Sequence, residues 1–466
     1  MSAHIRPPQF DPALVARYDV AGPRYTSYPT APRFRSDFNE TALRAVIRES
    51  NEEPIPRSLS LYVHIPFCTS PCFFCGCNRI ITRDPAQAGR YLERLYREIE
   101  LTAPQFSRDR LVRQLHFGGG TPNFLGIELM RELLGSLAHN FSFSSEPERE
   151  YGIEIDPRHA DADYVRELGR LGFNRISIGV QDLDPKVQHA VNRVQTFEQI
   201  QDVIVGARAA QFRSVSIDLI YGLPFQSVAG FGRTLDRIEQ LEPDRVVVYG
   251  YAHLPEMFKA QRQIRAEDLP DPAIRLALFG CALERLTAAG YVYIGMDHFA
   301  RVQDELAVAQ RDGSLQRNFQ GYSTHGECDI VGLGVSAIGR ISNTYSQNAR
   351  DLVGYYAALD NGRLPVVRGL HLDQDDLIRR ALINELMCYG AVDKRAFGDH
   401  NGIVFDDYFR RELQRLQELV ADGLVEEDDN RIKATPRGRL LVRIIAMCFD
   451  AYLGEDAQVP RYSRVI

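Results

Sequence analysis

The strongest constraint on the fold is a pattern that repeats six times after about residue 60. Each repeat has a short run of β-branched or aromatic residues, a polar turn, and a longer stretch with helical periodicity. The six short runs are 60–65, 113–118, 151–156, 175–180, 214–222 and 245–252. Strands that alternate with helices form a parallel sheet, and six strands are too few for the standard eight-stranded barrel. The sequence therefore predicts an α/β fold with an incomplete (βα)6 parallel barrel.

The chain divides into four predicted regions around this barrel. Residues 1–52 form an N-terminal arm, 53–290 the (βα)6 core, 291–369 a core extension that caps the barrel near the substrate, and 370–466 a mainly helical domain. The last region has a winged-helix-like outline, in which a short hairpin lies between two helices. Its predicted wing, EEDDN, is acidic, which argues against binding to DNA.

Charge and hydropathy exclude several classes of partner. The net charge of −7 provides no overall attraction for nucleic acids or anionic lipids. No stretch approaches 18 consecutive apolar residues, and the first twenty residues lack the apolar run of a signal peptide. We therefore expect a cytoplasmic protein with no membrane span and no nucleic-acid partner. Thiols stay reduced in the cytoplasm, so the eight cysteines are not expected to form a disulfide framework.

Half of these cysteines lie in one short segment directly after the first predicted strand. Cys68, Cys72, Cys75 and Cys77 are separated by three, two and one residues, and such crowded thiols are typical of metal ligands or redox groups. Three thiolates could hold Zn²⁺ or an iron–sulfur cluster. A structural zinc site usually takes four ligands in two separated pairs, and no second pair follows in this chain. A cluster held by three cysteines explains the pattern better and leaves one iron open to a substrate or cofactor.

Polar and small residues accumulate at the predicted carboxyl ends of the strands, where parallel α/β folds place their active sites. These groups are the cysteine loop, the GGGTP segment at 118–122, Glu154, Asp156, Gln181, Asp182, Asp218, Tyr251 and His253. Gly, Asp and Pro are also common in turns, so each residue alone could have a purely structural role. All six strand ends meet on one face of the sheet, which favours a functional site there.

The C-x3-C-x2-C spacing after the first strand of a βα series resembles the signature of the radical S-adenosylmethionine (SAM) enzymes. The resemblance implies a barrel of radical SAM type and a [4Fe–4S] cluster with Cys68, Cys72 and Cys75 as its metal ligands. SAM would chelate the fourth iron, and an electron from the cluster would cleave SAM to give a 5′-deoxyadenosyl radical. The protein would position this radical and exclude water.

Further motifs resemble those of one family, the oxygen-independent coproporphyrinogen III oxidases, also called coproporphyrinogen III dehydrogenases. They are YVHIPFC, CGCN, LHFGGGTP, IEIDPR, ISIGVQD, IDLIYGLP, YAHLPEMFKAQR, IGMDHFA and NFQGYSTH. This resemblance implies an oxidoreductase of anaerobic haem (porphyrin) biosynthesis. Its reaction would convert the ring A and ring B propionates of coproporphyrinogen III into vinyl groups, giving protoporphyrinogen IX. It also implies that two SAM molecules bind beside the cluster.

The same resemblance assigns roles to individual residues. Cys77 would be a catalytic thiol near the cluster and not one of its ligands. The positions that match SAM contacts in the family are Tyr62, Phe74, Gly119, Gly120, Thr121, Glu154, Gln181, Arg193, Asp218, Ala252 and Ile338. Of these, Glu154 and Asp218 could accept hydrogen bonds from ammonium or ribose groups, and Arg193 could pair with a carboxylate. Without the resemblance, several of the others would be assigned to packing.

A substrate with four carboxylates would have to be bound by local donors, because the net charge of −7 repels it at long range. The candidates are Arg24 and Tyr25 in the arm, and His298, Arg301, Arg311 and Arg317 in the capping region. A solvated surface loop is the alternative interpretation of the second group.

Two other functions stay open at this level. One is a haem-trafficking chaperone of a related radical SAM group, and the other is a zinc-stabilised scaffold. Cys77 and the arm segment RYTSYPTA favour the oxidase, because the resembling chaperones typically carry an aromatic residue at the fourth cysteine and lack the arm. The expected partners of the oxidase are coproporphyrinogen III and an electron donor such as a flavodoxin or ferredoxin system, and we expect a monomer.

Overall fold

The computed structural model describes residues 7–453 and 462–465 of the chain. Its first eight strands are β1 (Leu59–Ile65), β2 (Phe67–Cys68), β3 (Ile80–Ile81), β4 (Val112–Gly119), β5 (Glu150–Ile155), β6 (Arg175–Gln181), β7 (Ser214–Tyr221) and β8 (Arg245–Gly250). Strands β1, β4, β5, β6, β7 and β8 lie side by side in this order and are all parallel. These are the six strands that the sequence predicts, so the parallel core is confirmed.

The helices alternate with these strands, and several of them begin at a side chain that caps the first turn. Up to residue 360 they are α1 (Pro12–Tyr18), α2 (Glu40–Asn51), α3 (Ala86–Thr102), α4 (Ile127–Asn140), α5 (Ala162–Arg170), α6 (Pro185–Ala190), α7 (Phe197–Ala209), α8 (Val228–Glu239), α9 (Pro272–Ala288), α10 (Glu305–Asp312) and α11 (Leu352–Asp360). In α7, Thr196 and Gln199 form a capping box, and Ile200, Val203 and Ile204 are buried at helical spacing. The apolar faces of such helices pack on the parallel strands.

The region 291–369 extends the sheet at both edges. Its strands are β9 (Tyr291–Gly295), β10 (His298–Arg301), β11 (Gln316–Asn318), β12 (Gly321–Ser323), β13 (Asp329–Leu333), β14 (Ile338–Ile341), β15 (Thr344–Asn348) and β16 (Val366–His371). Strand β13 is parallel to β1, and β14, β15 and β16 follow it antiparallel, while β10 and β9 continue antiparallel from β8. Within the described residues the resulting twelve-stranded sheet ends in β16 and β9, so the barrel is incomplete, as predicted.

A buried ion pair fixes the seventh parallel strand, which the sequence pattern did not reveal. Arg110, just before β4, donates to the carboxylate of Asp329 at 2.6 Å, and both side chains are 1% exposed. The same carboxylate accepts a hydrogen bond from the backbone N–H of Ser342 at 2.9 Å. Asp329 therefore joins the start of β13 to the start of β4 and to the turn after β14. The run DIVGL is too short and too glycine-rich to stand out in the sequence.

The C-terminal region is mainly helical with one small sheet. Its elements are α12 (Gln374–Tyr389), β17 (Ala391–Asp393), α13 (Lys394–Asn401), α14 (Phe405–Tyr408), α15 (Arg410–Ala421), β18 (Val425–Glu427), β19 (Arg431–Ala434) and α16 (Val442–Met447). The hairpin of β18 and β19 corresponds to the predicted acidic wing, and β17 completes a three-stranded antiparallel sheet. The predicted helical, winged-helix-like region is thus present.

The N-terminal arm is held by the far end of the chain. Ala21 pairs with Arg464 in an isolated β-bridge. The buried guanidinium of Arg443 donates hydrogen bonds to the carbonyl oxygens of Gly22, of Pro23 at 3.0 Å and of Val465 at 2.9 Å. Of the predicted arm and C-terminal region, residues 1–6, 454–461 and 466 lie outside the described residues. None of the described helices is both long enough and apolar enough to cross a lipid bilayer.

Candidate cofactor site

The cysteine loop leaves the carboxyl end of β1 and is closed by a short parallel pair. Strands β2 and β3 pair Phe67 with Ile80, which brings the two ends of the loop together. Within the loop, the guanidinium of Arg79 donates to the carbonyl oxygens of Cys72 at 3.0 Å and of Cys75 at 3.1 Å. A residue of the loop itself therefore holds the loop backbone in place.

All four thiols of the loop line one cavity of about 310 Å³, which we call the cysteine cavity. The Sγ of Cys68 lies 3.2 Å from the hydroxyl oxygen of Thr121. Burial raises the pKa of the Cys68 thiol to about 11. The Sγ of Cys75 accepts a hydrogen bond from the backbone N–H of Cys77 at 3.4 Å. A hydrogen bond from the Cys77 thiol lowers the pKa of Cys75 to about 6. A thiolate is the form that binds iron, and these donors favour it at Cys75.

Two arginines approach the third thiol from the side of the sheet. The guanidinium nitrogens of Arg158 and Arg193 each lie 3.6 Å from the Sγ of Cys72. Both arginines are themselves paired with Asp156, whose carboxylate lies 2.6 Å from Arg158 and 3.0 Å from Arg193. Burial alone would raise the pKa of Asp156, but the two guanidinium groups outweigh it and hold this pKa below its usual range. Arg158 and Arg193 thus place positive charge beside Cys72, and the carboxylate of Asp156 compensates that charge.

Three consecutive glycines stand at the end of β4, and the backbone requires two of them, Gly119 and Gly120. A Cβ on Gly118 would lie 2.8 Å from a carboxylate oxygen of Glu154, and a Cβ on Gly120 would lie 2.8 Å from the backbone of Pro66. Gly119 has a φ of +115° and a Cβ there would lie 2.7 Å from the ring of His64. A side chain at Gly120 would therefore collide with fixed backbone, and one at Gly119 would strain the chain and meet the His64 ring. At Gly118, only the flexible side chain of Glu154 would have to move. Glycine lets the backbone of this segment line the cysteine cavity directly.

Two carboxylates stand where the cysteine cavity meets a second space inside the barrel, which we call the inner cavity. Glu154 and Asp218 line both the cysteine cavity and this inner cavity of about 170 Å³. His116 contacts Glu154 at 3.2 Å and stacks on Tyr62 with ring centroids 6.0 Å apart. Burial and the neighbouring Glu154 raise the pKa of Asp218 to about 7. Both carboxyl groups thus offer hydrogen-bond acceptors at the junction of the two cavities.

The structure brings most of the predicted cofactor residues together. The members that line the cysteine cavity are Cys68, Cys72, Phe74, Cys75, Cys77, Gly119, Gly120, Thr121, Glu154, Gln181, Arg193 and Asp218. Tyr62, Ala252 and Ile338 do not line it. Ala252 is tied to the loop, because the side-chain amide of Gln261 donates both to its carbonyl at 3.1 Å and to that of Phe74 at 3.0 Å. Ile338 packs instead in a cluster with Phe34 and Tyr345.

Three predicted substrate residues lie beside the inner cavity. Arg24 forms an ion pair with Asp297 and lies over the ring of Tyr249 at 5.5 Å. His298 lines the inner cavity, and its Nδ1 has no hydrogen-bond partner among the described residues. Arg317 donates to the backbone carbonyl of Arg24 at 3.2 Å and lies over the ring of Tyr322 at 4.6 Å.

The other predicted substrate residues lie elsewhere. The hydroxyl of Tyr25 donates to Asp450 at 2.9 Å, inside the contact between the arm and the C-terminal region. Arg301 stacks on Tyr291 at 4.2 Å, at the far end of β10. Arg311 is exposed on α10 and donates to the carbonyl of Val302 at 2.9 Å. Neither Arg301 nor Arg311 lines the cysteine cavity or the inner cavity.

Sequence reasoning did not single out Arg79 and Arg158, which hold the loop and the charge beside Cys72. A signal for Arg158 exists in the segment DPR at 156–158, where an arginine follows a strand-end carboxylate by two positions.

The residues that line the cysteine cavity fit, as a set, an iron–sulfur cluster with a bound organic cofactor. Three thiols lie on one loop, while glycine backbone, two carboxylates and a paired arginine supply the remaining lining.

Comparison with known proteins identifies the family. A model of the Radical SAM superfamily matches residues 62–238, and a model of the HemN C-terminal domain matches residues 372–441. An oxygen-independent coproporphyrinogen III oxidase of Pseudomonas aeruginosa is 50% identical over 98% of this chain and 99% of its own length. The chain belongs to the oxygen-independent coproporphyrinogen III oxidase family.

Further members of this family agree over the whole length. The oxidase of Escherichia coli K12 is 47% identical over 98% of this chain and 98% of its own. A solved structure described as coproporphyrinogen III oxidase (HemN) from Escherichia coli, a radical SAM enzyme, has a TM-score of 0.91 at 46% identity. It covers 96% of this chain and 100% of its own. The predicted class, a radical SAM oxidoreductase that uses a [4Fe–4S] cluster and SAM, is thereby confirmed.

Proposed function

We propose that this protein carries out the reaction for which its family is named. It converts the ring A and ring B propionates of coproporphyrinogen III into vinyl groups and so forms protoporphyrinogen IX, a precursor of haem. For each propionate, the β-carbon loses a hydrogen atom and the carboxylate leaves as CO2. One electron per propionate passes to an external acceptor, which balances the oxidation.

The observation that carries the proposal is the cysteine cavity in a chain that matches the oxidases from end to end. Cys68, Cys72 and Cys75 would hold the cluster, since their thiols share this cavity and lie on one closed loop. When bound, the reduced cluster and SAM supply the 5′-deoxyadenosyl radical that takes the hydrogen atom from the substrate.

The remaining residues of the site bind, orient and exclude water. Asp156 holds Arg193 and Arg158 beside Cys72, so that the charge of the thiolate is balanced inside the protein. Glu154 and Asp218 would accept hydrogen bonds from the amino or hydroxyl groups of SAM when it is bound. Gly119 and Gly120 present backbone atoms that a side chain would cover. The family resemblance suggests two SAM molecules, and the inner cavity that adjoins the cysteine cavity is the space into which the second could extend.

We assign Cys77 to hydrogen or electron transfer and not to cluster binding. It lines the cysteine cavity, and its thiol hydrogen-bonds to Cys75. The variant Cys77→Ala should keep its cluster and its cleavage of SAM but lose most porphyrinogen conversion. The matched control is Cys281→Ala, a partly buried cysteine on α9. If conversion in Cys77→Ala equals that in the control, Cys77 has no role in the reaction.

For the substrate, we retain Arg24, His298 and Arg317 as direct contacts and treat Tyr25 as a residue that positions the arm. An electron donor such as a flavodoxin or ferredoxin system would reduce the cluster. We also propose that the protein acts in the cytoplasm as a monomer. We also propose that the chain has four functional regions. They are an arm (1–52), a core (53–290), an extension (291–369) and a helical domain (370–466).

One experiment tests the proposed function directly. The protein, reconstituted with iron and sulfide under anaerobic conditions, is incubated with SAM, a reductant and coproporphyrinogen III, and the tetrapyrroles are separated by chromatography and mass spectrometry. Protoporphyrinogen IX should accumulate together with CO2 and 5′-deoxyadenosine. Cleavage of SAM without any loss of CO2 from the tetrapyrrole would contradict the proposal, whereas a stable complex with haem and no turnover would favour the chaperone.

A further inference from the structure

A short turn at one end of the sheet carries three groups that can bind a metal ion. It lies between β12 and β13 and contains His325, Glu327 and Cys328 within four positions, so we call it the 325–328 turn. The three ligand atoms, an imidazole nitrogen, a carboxylate oxygen and a sulfur, all lie within 4.8 Å of one another. None of the three residues lines the cysteine cavity or the inner cavity.

The 325–328 turn is far from the cysteine loop. Asp329, which follows Cys328, pairs with Leu59 at the start of β1. The cysteine loop begins after Ile65, at the other end of that strand. Six residue steps of about 3.3 Å separate the two ends of β1, so roughly 20 Å lie between the turn and the loop. A metal ion in the turn could therefore share no ligand with the cluster.

The hydrogen bonds of His325 aim one of its ring nitrogens at the carboxylate of Glu327. The other nitrogen, Nε2, lies 3.1 Å from the backbone carbonyl oxygen of Glu148. A carbonyl oxygen only accepts, so Nε2 carries the hydrogen and the neutral ring keeps its lone pair on Nδ1, as in many metal-binding histidines. Nδ1 lies 3.3 Å from a carboxylate oxygen of Glu327. Two lone pairs at this distance repel each other unless a proton or a metal ion lies between them.

Cys328 supplies a third donor that a simple histidine–carboxylate pair does not need. Its Sγ lies 3.8 Å from the same carboxylate oxygen of Glu327. Around a tetrahedral zinc ion, nitrogen, oxygen and sulfur ligands lie roughly 3.3–3.6 Å from one another. Both distances from the carboxylate oxygen are therefore already close to those of a metal site, and the third donor favours a metal ion over a proton.

The backbone of the 325–328 turn is fixed by its neighbours. The guanidinium of Arg340 on β14 donates to the carbonyl oxygens of Gly326 and Cys328, each at 2.8 Å. A Cβ on Gly326 would collide with the side chain of Gln316, so this strand contact requires glycine in the turn. Closing the three side chains on one ion therefore needs side-chain rotation and no rearrangement of the turn.

We propose that His325, Glu327 and Cys328 bind a divalent metal ion apart from the cluster, and that zinc is the ion they favour. Mg²⁺ and Ca²⁺ prefer oxygen ligands alone, whereas an imidazole, a thiolate and a carboxylate together suit zinc. The charges of the thiolate and the carboxylate would balance the two charges of the ion. Three protein ligands leave a fourth position, which water can reach beside the Glu327 side chain, 56% exposed. The proposal does not depend on the proposed function.

The test measures zinc binding to the cluster-loaded protein and requires no turnover. The protein is incubated with excess zinc under anaerobic conditions and desalted, and the zinc that stays bound is counted per chain. Competition with a chromophoric chelator then gives the Kd. The variants are His325→Gln, Glu327→Gln and Cys328→Ser. The matched controls are Glu128→Gln, whose side chain is 77% exposed on α4, and Cys281→Ala.

The unmodified protein and both controls should keep about one zinc ion per chain, with one sulfur ligand at about 2.3 Å in the X-ray absorption spectrum at the zinc edge. Each variant should raise the Kd for zinc by about a hundredfold or more, because even the loss of a residue that only orients a metal ligand costs roughly ten- to hundredfold. Zinc should also raise the Tm of the unmodified protein but not that of Glu327→Gln, whose exposed position leaves the fold undisturbed.

Three results would overturn the proposal. In the first, Glu327→Gln and Cys328→Ser bind zinc as tightly as the controls do, so the ion lies elsewhere. In the second, the zinc spectrum shows two or more sulfur ligands, which would place the ion at the cysteine loop. In the third, the unmodified protein keeps no zinc, and His325 is then a protonated partner of Glu327.

Discussion

Two cavities of the molecule differ in how their buried charges are compensated. One is the cysteine cavity, and the other is a separate cavity of about 610 Å³ lined by Arg57, Arg317, Arg340 and Arg380, which we call the arginine cavity. In the cysteine cavity, the two arginines beside the thiol of Cys72 are already paired, since Asp156 binds both Arg158 and Arg193. In the arginine cavity, Arg57 and Arg380 have no salt-bridge partner among the described residues. The protein thus balances the charge beside Cys72 with its own carboxylate, whereas it supplies no carboxylate partner to Arg57 and Arg380 within the described part of the chain.

The largest expected effect concerns the cluster ligands. Replacing any one of Cys68, Cys72 or Cys75 by Ala should reduce reductive cleavage of SAM to background, because iron loses a soft thiolate ligand. The measurement is 5′-deoxyadenosine formed under anaerobic conditions, with Cys281→Ala as the matched control. Retained cleavage of SAM in all three would refute the cluster assignment.

The next effect is on stability and tests whether the charges of the cysteine cavity are balanced internally. Asp156→Ala leaves Arg158 and Arg193 without their carboxylate, so the free energy of unfolding should fall by about 3–5 kcal/mol. The control is Asp163→Ala, since the Asp163 side chain is 84% exposed and its pair with Arg166 should contribute less than about 1 kcal/mol. Urea denaturation of the protein without its cluster gives both values. Equal losses in the two variants would mean that Asp156 is no more important than a surface carboxylate.

A smaller effect should separate the two groups of predicted substrate arginines. Arg24→Ala should weaken tetrapyrrole binding about tenfold, because the guanidinium of Arg24 lies beside the inner cavity. The effect should not be larger, since this guanidinium is already paired with Asp297. Arg311→Ala should change binding by less than about twofold, because Arg311 is exposed on α10. Cleavage of SAM without substrate should be the same in both. If Arg311→Ala weakened binding as much as Arg24→Ala, the capping region would close over the substrate in a way that this structure does not show.

The smallest effect is a pH dependence. The folded protein raises the pKa of Asp218 to about 7, whereas an unfolded chain releases this proton near pH 4. Between these values the folded state binds more protons than the unfolded state, so this group lowers stability as pH rises from about 4 to about 7. Asp218→Asn should therefore raise the Tm of the cluster-free protein by a few degrees at pH 8 and much less at pH 5. Thermal denaturation at both pH values checks this, and an equal change at both would show that Asp218 carries no such penalty.

The sequence revealed the parts of the molecule whose signals are local. The six parallel strands follow from runs of period two between helical stretches, and the cysteine loop places four thiols within ten positions. The strand-end residues Glu154 and Asp218 were also accessible, because parallel strands bring their carboxyl ends to one face.

The parts that sequence reasoning missed depend on contacts between distant positions. The strand β13 was missed because Asp329 meets Arg110 only in the folded protein, 219 positions away along the chain. The arginine cavity takes its residues from positions 25 to 389, and its four arginines lie on four separate segments of the chain. Arg301 and Arg311 were chosen because their segment is charged. Composition does not specify which way the side chains of a strand such as β10 or a helix such as α10 face. Their roles remain predictions.

The position of Arg443 has a consequence for the timing of assembly during synthesis. This residue holds the arm at Gly22, which lies 421 positions earlier in the chain. A ribosome adds residues at roughly 5–20 per second, so the arm waits on the order of 20–80 s for the group that fixes it. The core strands and the cysteine loop are complete long before that. The arm is therefore fixed late in synthesis, after the segment that holds the cluster ligands has already been made.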